Sequence, residues 1–239
     1  MKIITTNILF IFIILLSVTS CRQTEIKIPA DFIETTPPKS GSNEWFTLNY
    51  SKKTFGVEII NGKLEISIIE LANKCVLKLT DGTLYANDKG EWGGELFFVS
   101  KDSVNKGTLI KKGNIKFLFL YKNNIYFIEG LAHLGISEGA FYELDKTNNK
   151  FTYRKILDFE DAPEALTICE NEFLIATHKN FYRIKDFKKE LIFANEFWDG
   201  LYPSSIAVQD DKNVFLGIRG GIVKLNLTNK TLKFYKYTK

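Results

Sequence analysis

The chain has 239 residues, of which 45% are hydrophobic and 25% are charged, the composition of an ordinary globular protein rather than a disordered one. Its 32 basic and 28 acidic residues are interspersed and give a formal net charge of +4. A nucleic-acid-binding protein normally has a concentrated basic face, so we expect no nucleic-acid partner. The 20 Phe and 10 Tyr against a single Met, with short runs of Ile, Val and Thr, favour strands over helices.

The N-terminus has the pattern of a cleaved signal peptide over residues 1–20. Lys2 precedes an unbroken run of nine apolar residues at 8–16. That run is far shorter than the roughly 20 residues that a membrane-spanning helix needs. Two kinds of signal peptide fit this pattern. One precedes a cysteine that becomes lipid-anchored, and the other is an ordinary signal peptide followed by a cysteine only by coincidence.

The segment Val18-Thr19-Ser20-Cys21 places small residues before a cysteine and resembles the lipobox of bacterial lipoproteins. The resemblance implies cleavage before Cys21, acylation of its thiol and attachment to a membrane through the acyl chains. Arg22 follows the cysteine where enteric lipoproteins retained at the inner membrane have Asp. The resemblance therefore implies a cell-envelope protein at the outer membrane, facing either the periplasm or the surface.

Residues 21–43 are predicted to be a lipidated tether. This segment contains Pro37-Pro38 and several Ser and Thr residues, with few large apolar residues after Ile33. Such a stretch buries too little apolar surface to fold by itself, so we expect a flexible spacer. The folded domain is accordingly predicted over residues 44–239.

From about residue 74 the chain repeats a unit of 41 to 48 residues. Equivalent second strands contain Leu84, Ile125, Phe173 and Val214. First strands are predicted at 75–79, 115–120, 165–169 and 205–208, and third strands at 94–99, 140–144, 181–184 and 221–227. A fourth strand follows in each unit, and Asp-, Asn- and Gly-containing turns join the first and second strands. Four antiparallel strands per repeat are typical of a propeller blade.

The last unit resembles the blades of bacterial periplasmic sensor propellers, because Gly220-Gly221 precedes the strand segment Val223-Lys224-Leu225-Asn226-Leu227. The resemblance implies blade architecture over residues 74–239 and implies nothing about a ligand. Ahead of these units, strands are predicted at 45–50, 55–60 and 64–69, the last two joined by Asn61-Gly62. The predicted fold is an all-β propeller of five blades, the first incomplete; four blades plus an N-terminal hairpin is the alternative.

In a propeller, the loops between strands two and three and those between consecutive blades share one face. That rule gathers two of the three tryptophans, both histidines and several carboxylates on one rim. The candidate ligand-binding residues are Glu91, Trp92, His133, Asp161, Trp198, Asp199, Tyr202 and Arg219.

Structural roles compete with ligand binding at several of these positions. Trp92 could fill a gap between blades, His133 could bond to neighbouring backbone, and His178 could be a solvated turn residue. Arg219 could pair with an acidic residue of a neighbouring blade. The segment 131–135 lengthens its unit and is predicted to be an extended loop of the kind that builds binding sites.

Motifs for familiar chemistry are missing from the sequence, which has two distant histidines and neither a CxxC nor a GxSxG pattern. We therefore predict no catalytic residue, metal site or cofactor. Cys75 and Cys169 alternate with apolar residues in predicted strands and are expected to be buried free thiols.

These patterns favour a binding module that recognises a protein, peptide or glycan with its loop face. One alternative is a five-bladed glycosidase with a carboxylate pair drawn from Glu91, Glu129, Asp161 and Asp199. The other is a structural subunit of an envelope complex. Fold by itself does not decide between them.

Overall fold

A computed structural model describes residues 26–102, 107–147 and 150–239. The predicted signal peptide and the lipidation site at Cys21 lie outside these residues. Within the described ranges, every helix is too short or too polar to cross a membrane.

Strands dominate the described part of the chain, and the fold is all-β, as predicted from the composition. The elements in chain order are β1 (Phe32–Thr35), α1 (Asn43–Asn49), β2 (Thr54–Ile60), β3 (Lys63–Ile69), β4 (Lys74–Lys78), β5 (Gly82–Asn87), a 3₁₀ helix (Gly90–Trp92), β6 (Glu95–Ser100), β7 (Thr108–Lys112), β8 (Ile115–Tyr121), β9 (Asn124–His133), β10 (Ile136–Thr147), β11 (Lys150–Phe159), β12 (Pro163–Cys169), β13 (Glu172–Thr177), β14 (Phe181–Lys185), β15 (Lys188–Phe193), β16 (Ser205–Asp210), β17 (Asn213–Ile218), β18 (Gly221–Asn226) and β19 (Thr231–Tyr237).

Each predicted repeat folds into one antiparallel sheet whose strands are neighbours in chain order. Among the described residues these sheets are β4 to β7, β8 to β11, β12 to β15 and β16 to β19, which we number one to four. Tight turns join their strands, and Lys122 and Asn123 both have positive φ between β8 and β9. That conformation matches the twist of the two strands and suits a two-residue hairpin.

Consecutive sheets pack face to face around separate apolar clusters. Leu96 of sheet one and Phe127 of sheet two belong to one cluster, whereas Phe141 and Phe173 join sheets two and three. A further cluster joins sheets three and four, and a last one joins sheet four to the β2–β3 hairpin. At least one face of every sheet is thereby removed from water, which supplies most of the stabilising free energy.

The segment 45–50, predicted to be a strand, is instead part of helix α1. Ser42 caps the helix because its side chain accepts a hydrogen bond from the backbone N–H of Trp45, and Glu44 lies in the first turn, where a negative charge is favourable. Leu48 is buried in the cluster between sheets three and four. These capping signals outweighed the strand propensity of the aromatic residues.

The prediction of a flexible tether over residues 21–43, with the domain starting at 44, is wrong for the described part of that segment. Strand β1 pairs antiparallel with β19 and adds a fifth strand to sheet four. Ile26 and Phe32 are buried, and the ring centroids of Phe32 and Phe55 lie 5.1 Å apart. Two well-placed apolar side chains and a free edge on β19 were enough to order a segment of low average hydrophobicity.

Replacing Phe32 by Ala is expected to lower the free energy of unfolding by about 3 kcal/mol, because the change removes a buried ring and leaves a cavity. Urea denaturation monitored by circular dichroism measures the effect. Ile33→Ala is the matched control, since Ile33 is 53% exposed on the same strand and should change stability by less than about 0.5 kcal/mol. Equal midpoints for the two variants would show that β1 contributes little to the fold.

Candidate functional site

The loop between β5 and β6 is rigidly fixed at its base and exposes a tryptophan at its end. Asn114 is buried; its side-chain amide donates to the carbonyl oxygen of Gly90 at 2.7 Å and accepts from the backbone N–H of Lys89 at 3.1 Å. The 3₁₀ helix held in this way leaves Trp92 83% exposed. Trp92 therefore does not fill a gap between sheets, and its ring is available to a ligand.

A contact between a carboxylate and an imidazole ties this loop to the neighbouring hairpin. Oε2 of Glu91 lies 2.9 Å from Nε2 of His133, so two of the predicted site residues are brought together. The predicted loop at 131–135 is instead an extension of strands β9 and β10, which reverse at Leu134 and Gly135, both with positive φ. Both partners of the pair are well exposed, so it contributes at most about 1 kcal/mol and mainly fixes position.

A cavity of about 420 Å³ lies beside this loop. Its lining includes Gly93, which follows Trp92 directly, and the carboxylates of Glu129, Glu138 and Asp158. The Lys155 ammonium also lines the cavity and lies 2.6 Å from Asp158. The site thus combines a concave polar pocket with an exposed tryptophan that precedes the lining residue Gly93 in the chain, an arrangement that suits a small polar ligand.

The Glu129 carboxylate is held in place on both of its oxygens. It lies 2.6 Å from Nζ of Lys111 and accepts a hydrogen bond from the Tyr142 hydroxyl at 2.5 Å. Burial, the hydrogen bond to Glu129 and the carboxylate charge all raise the pKa of Tyr142. A Cβ at Gly113 would come within 2.6 Å of Glu129 Oε2, so glycine there leaves room for the Glu129–Lys111 pair.

Asp161, predicted to bind a ligand, is instead fully buried and saturated by protein donors. Its carboxylate accepts from Ser137 Oγ at 2.5 Å, Thr177 Oγ1 at 2.6 Å, the Lys179 N–H at 2.7 Å and Asn180 Nδ2 at 3.2 Å. Ionised buried carboxylates persist only when they are paired or hydrogen-bonded in this manner. Asp161 therefore joins sheets two and three and is unavailable to a ligand.

Trp198, also predicted to bind a ligand, is wholly buried in the cluster between sheets three and four. Phe197 and Leu201 lie in the same cluster, so the apolar residues of this loop form part of the core. Its indole Nε1 has no hydrogen-bond partner among the described residues. Trp45 of helix α1, by contrast, donates its Nε1–H to the carbonyl oxygen of Phe197 at 3.1 Å.

A row in which acidic side chains alternate with a lysine and a histidine crosses the same rim and was largely missed at the sequence level. Lys116 Nζ lies 2.7 Å from Asp88 and 3.3 Å from Glu164. His178 lies 3.9 Å from Glu164 through Nδ1 and 3.0 Å from Asp199 through Nε2. The expectation that His178 is only a solvated turn residue is therefore wrong. These residues are far apart in sequence, so no local pattern indicated that they would meet.

Burial decides the protonation behaviour of the middle of this row. It raises the pKa of Glu164, and the attraction of Lys116 and His178 only partly offsets that effect. Burial also works to lower the pKa of Lys116, but the nearby carboxylates of Glu164 and Asp88 outweigh it and raise that pKa. Lys116 therefore stays charged, while Glu164 holds its proton to a higher pH than an exposed Glu does.

Tyr202 and Arg219 form a third group on this rim. The Arg219 guanidinium lies 4.3 Å from the centroid of the Tyr202 ring, and its Nη1 donates to the carbonyl oxygen of Asn49 at 2.8 Å. The Tyr202 ring also meets the His178 ring, with centroids 6.3 Å apart. Arg219 therefore caps the end of α1 and stacks on Tyr202. The sequence had also allowed an ion pair with an acidic residue of a neighbouring blade.

The remaining predictions concern metals and thiols. In the ranges that the structure describes, no group of three or more His, Cys, Asp or Glu side chains is arranged to hold a metal ion. Cys75 and Cys169 are free thiols, as expected, although both are only partly buried. The thiol of Cys75 donates to the carbonyl oxygen of Lys116 at 3.2 Å, and burial raises its pKa.

Comparisons with known proteins assign no family. No protein family model matches this chain, and no curated protein matches it. Among solved structures it is similar to the computationally designed Ika4 protein, at 8% identity and a TM-score of 0.35, over 68% of this chain and 89% of that one. It is also similar to the computationally designed Ika8 protein, at 10% identity and a TM-score of 0.30, over 74% of this chain and 62% of that one. Similarity this low leaves function to be argued from the geometry of the chain itself.

Glu164 should make wild-type stability fall as pH rises from about 4.5, the ordinary pKa of a Glu side chain. Its pKa is higher in the folded chain than in the unfolded one, so the folded state binds the proton more tightly and loses this advantage on ionisation. Urea unfolding between pH 4.5 and 8 compares the wild type with Glu164→Gln. As pH increases, the free energy of unfolding of the wild type should fall relative to that of Glu164→Gln. The exposed neighbour variant Glu160→Gln should show no such trend, and a shift toward the wild type would mean that the Lys116 ion pair dominates burial.

Proposed function

We propose that this chain is a lipid-anchored envelope β-propeller that binds a glycan through its loop face, without catalysis. Its four sheets, each built on four consecutive strands, would be complete blades and the β2–β3 hairpin a fifth, incomplete one. Two observations support this architecture: each sheet has its strands in chain order, and the first strands of neighbouring sheets pack side by side, as in β4 with β8 and β12 with β16.

The observation that carries the ligand proposal is Trp92, exposed on a fixed loop beside the 420 Å³ cavity. A sugar ring has an apolar face that stacks on an aromatic ring, and its hydroxyls donate to carboxylates. Glu138 supplies such an acceptor in the cavity, and Asp158, whose Oδ1 pairs with Lys155, has its second oxygen as another. The volume lies in the range of small-ligand pockets, roughly 300 to 1,000 Å³. A protein partner would usually bury a much wider surface than one ring and one pocket, so a single aromatic side chain beside a polar pocket favours a glycan.

The four carboxylates weighed as a hydrolytic pair are engaged by protein groups, which supports binding rather than hydrolysis. A glycosidase needs two available carboxyl groups about 5 to 9.5 Å apart on either side of the bond to be cleaved. Here Glu91 pairs with His133, and Glu129 is occupied by Lys111 and Tyr142. Of the other two carboxylates considered for such a pair, Asp161 is buried and Asp199 pairs with His178.

The membrane anchor would lie close to the folded domain. Ile26 is already buried against the last sheet, so only the segment 22–25 separates a lipidated Cys21 from the fold. An extended chain of that length spans at most roughly 18 Å. A lipid on Cys21 would therefore hold the domain near the bilayer surface, instead of at the end of a long tether.

Replacing Trp92 by Ala should weaken glycan binding at least tenfold without changing the thermal midpoint, because the ring is exposed and contributes contact area to the ligand only. A glycan array with the wild type identifies the ligand, and titration calorimetry then compares the variants. Tyr50→Ala is the matched control, since Tyr50 is also a largely exposed aromatic residue and lies outside the cavity lining. Absence of any glycan ligand for the wild type, or equal affinities for the two variants, would contradict the proposal.

Replacing Cys21 by Ser should move the chain from the membrane fraction of a bacterial host to the soluble fraction and abolish labelling with a radioactive fatty acid, because the acyl acceptor is lost. Cys169→Ser removes a thiol of the folded domain and should leave both readouts unchanged. Continued labelling of the Cys21→Ser variant would show that the resemblance to a lipobox is coincidental.

A further inference from the structure

The face of sheet four that carries the β2–β3 hairpin is covered in two parts. The hairpin lies over β16 and β17, and the chain from Ile26 to Ile28 lies farther out, beside β18 and β19. Ile26 is buried there, whereas Lys27, between the two isoleucines, is exposed. The first described residues of the chain therefore lie on the outer part of this face and present a lysine to solvent.

A second lysine lies next to the first. Lys27 and Lys224 of β18 line one open pocket of about 350 Å³, together with Tyr235 of β19. Neither ammonium forms an ion pair with a carboxylate within the ranges that the structure describes. Lys224 also stands directly opposite Lys233 across the β18–β19 pair, where like charges repel each other. Positive charge is thus concentrated at this pocket.

One carboxylate of β1 serves this group of lysines. Glu34 lies 3.0 Å from Nζ of Lys233 and accepts a hydrogen bond from the Tyr235 hydroxyl at 3.1 Å. The hydrogen bond from Lys233 is the largest cause that lowers the pKa of Glu34, and the charge of Lys224 adds to it. We call the surface formed by Lys27, Lys224, Lys233 and Glu34 the basic face. Three lysines against one glutamate leave it with two uncompensated positive charges.

The basic face lies close to the proposed lipid anchor along the chain. Lys27 follows Cys21 by six residues, so an extended connection separates the two by at most roughly 21 Å. Lysines within about one Debye length of anionic headgroups, about 8 Å at physiological salt, are attracted to them. Because an anchor holds the domain permanently near the bilayer, contacts too weak to recruit a free protein become effective.

We propose that the basic face rests on the anionic headgroups of the bilayer that holds the anchor, with a lipid phosphate between Lys27 and Lys224. The proposal rests on the lipid anchor at Cys21 proposed above and is independent of glycan binding. Lipid headgroups are the occupant because the surface is positive, its pocket is open, and the chain that leads to Cys21 leaves the fold at its border. The contact uses sheet four, whereas the glycan cavity is lined by residues in and between sheets one and two.

The test is acetylation of lysines in the lipidated mature chain, inserted into preformed vesicles and analysed by mass spectrometry. Vesicles of phosphatidylcholine are compared with vesicles that also contain phosphatidylglycerol, and the reagent is the uncharged N-hydroxysuccinimidyl acetate. On the anionic vesicles, Lys27 and Lys224 should react at least about threefold more slowly, because headgroups attracted to them exclude the reagent. Lys185 and Lys188, an exposed cross-strand pair of sheet three, are the matched control and should keep their rates.

A charge-reversed variant tests whether these two lysines hold the face on the bilayer. On anionic vesicles Lys233 should be protected in the wild type and should lose that protection in K27E/K224E, because the attraction becomes a repulsion. K185E/K188E makes the same change of charge on sheet three and should leave Lys233 protected. The thermal midpoint reports whether each variant is folded, and K27Q/K224Q replaces the reversal if it is not.

Each further outcome separates the docking from the anchor. Equal rates at Lys27 and Lys224 on both kinds of vesicle would overturn the docking and leave the anchor intact. A mature chain purified without an acyl group would overturn both. Equal protection on neutral vesicles by inorganic phosphate, compared with chloride at the same ionic strength, would show that the pocket takes a free anion and would overturn a lipid as its occupant.

Discussion

Burial of the apolar faces of its sheets is the constraint on which this structure depends. A four-stranded sheet with large side chains on both faces is unstable in water and must be covered on each side. In strands such as β13 and β17 nearly every residue is buried, so sheets three and four require neighbours on both sides. The chain supplies those neighbours in sequence order, and helix α1 and strand β1 add cover at sheet four.

The same packing explains why polar residues gather at one rim. Strand ends from different sheets come together there, and their side chains must satisfy one another where water is partly excluded. Asp161 accepts hydrogen bonds from four donors, and Lys116 lies between the carboxylates of Asp88 and Glu164. Most charged groups of the rim thus form contacts that join one sheet to the next. Trp92 and the cavity beside it stand out because the structure leaves their surfaces free.

Local chemistry determined much of this protein at the sequence level. Alternating and continuous apolar runs defined the strands of every repeat, and Asn and Gly residues with positive φ, such as Asn61 and Gly62, fixed the turns between them. The sequence left two roles open for Trp92, a gap filler between blades or a ligand-binding ring, and the structure places the side chain in solvent. Tertiary structure alone decided which rim residues remained free: Asp161 and Trp198 have the same local appearance as Glu91 and Trp92, but long-range packing buried the first two. Tertiary structure also ordered β1. A segment of such low average hydrophobicity forms a strand only when its backbone can pair with the free edge of β19.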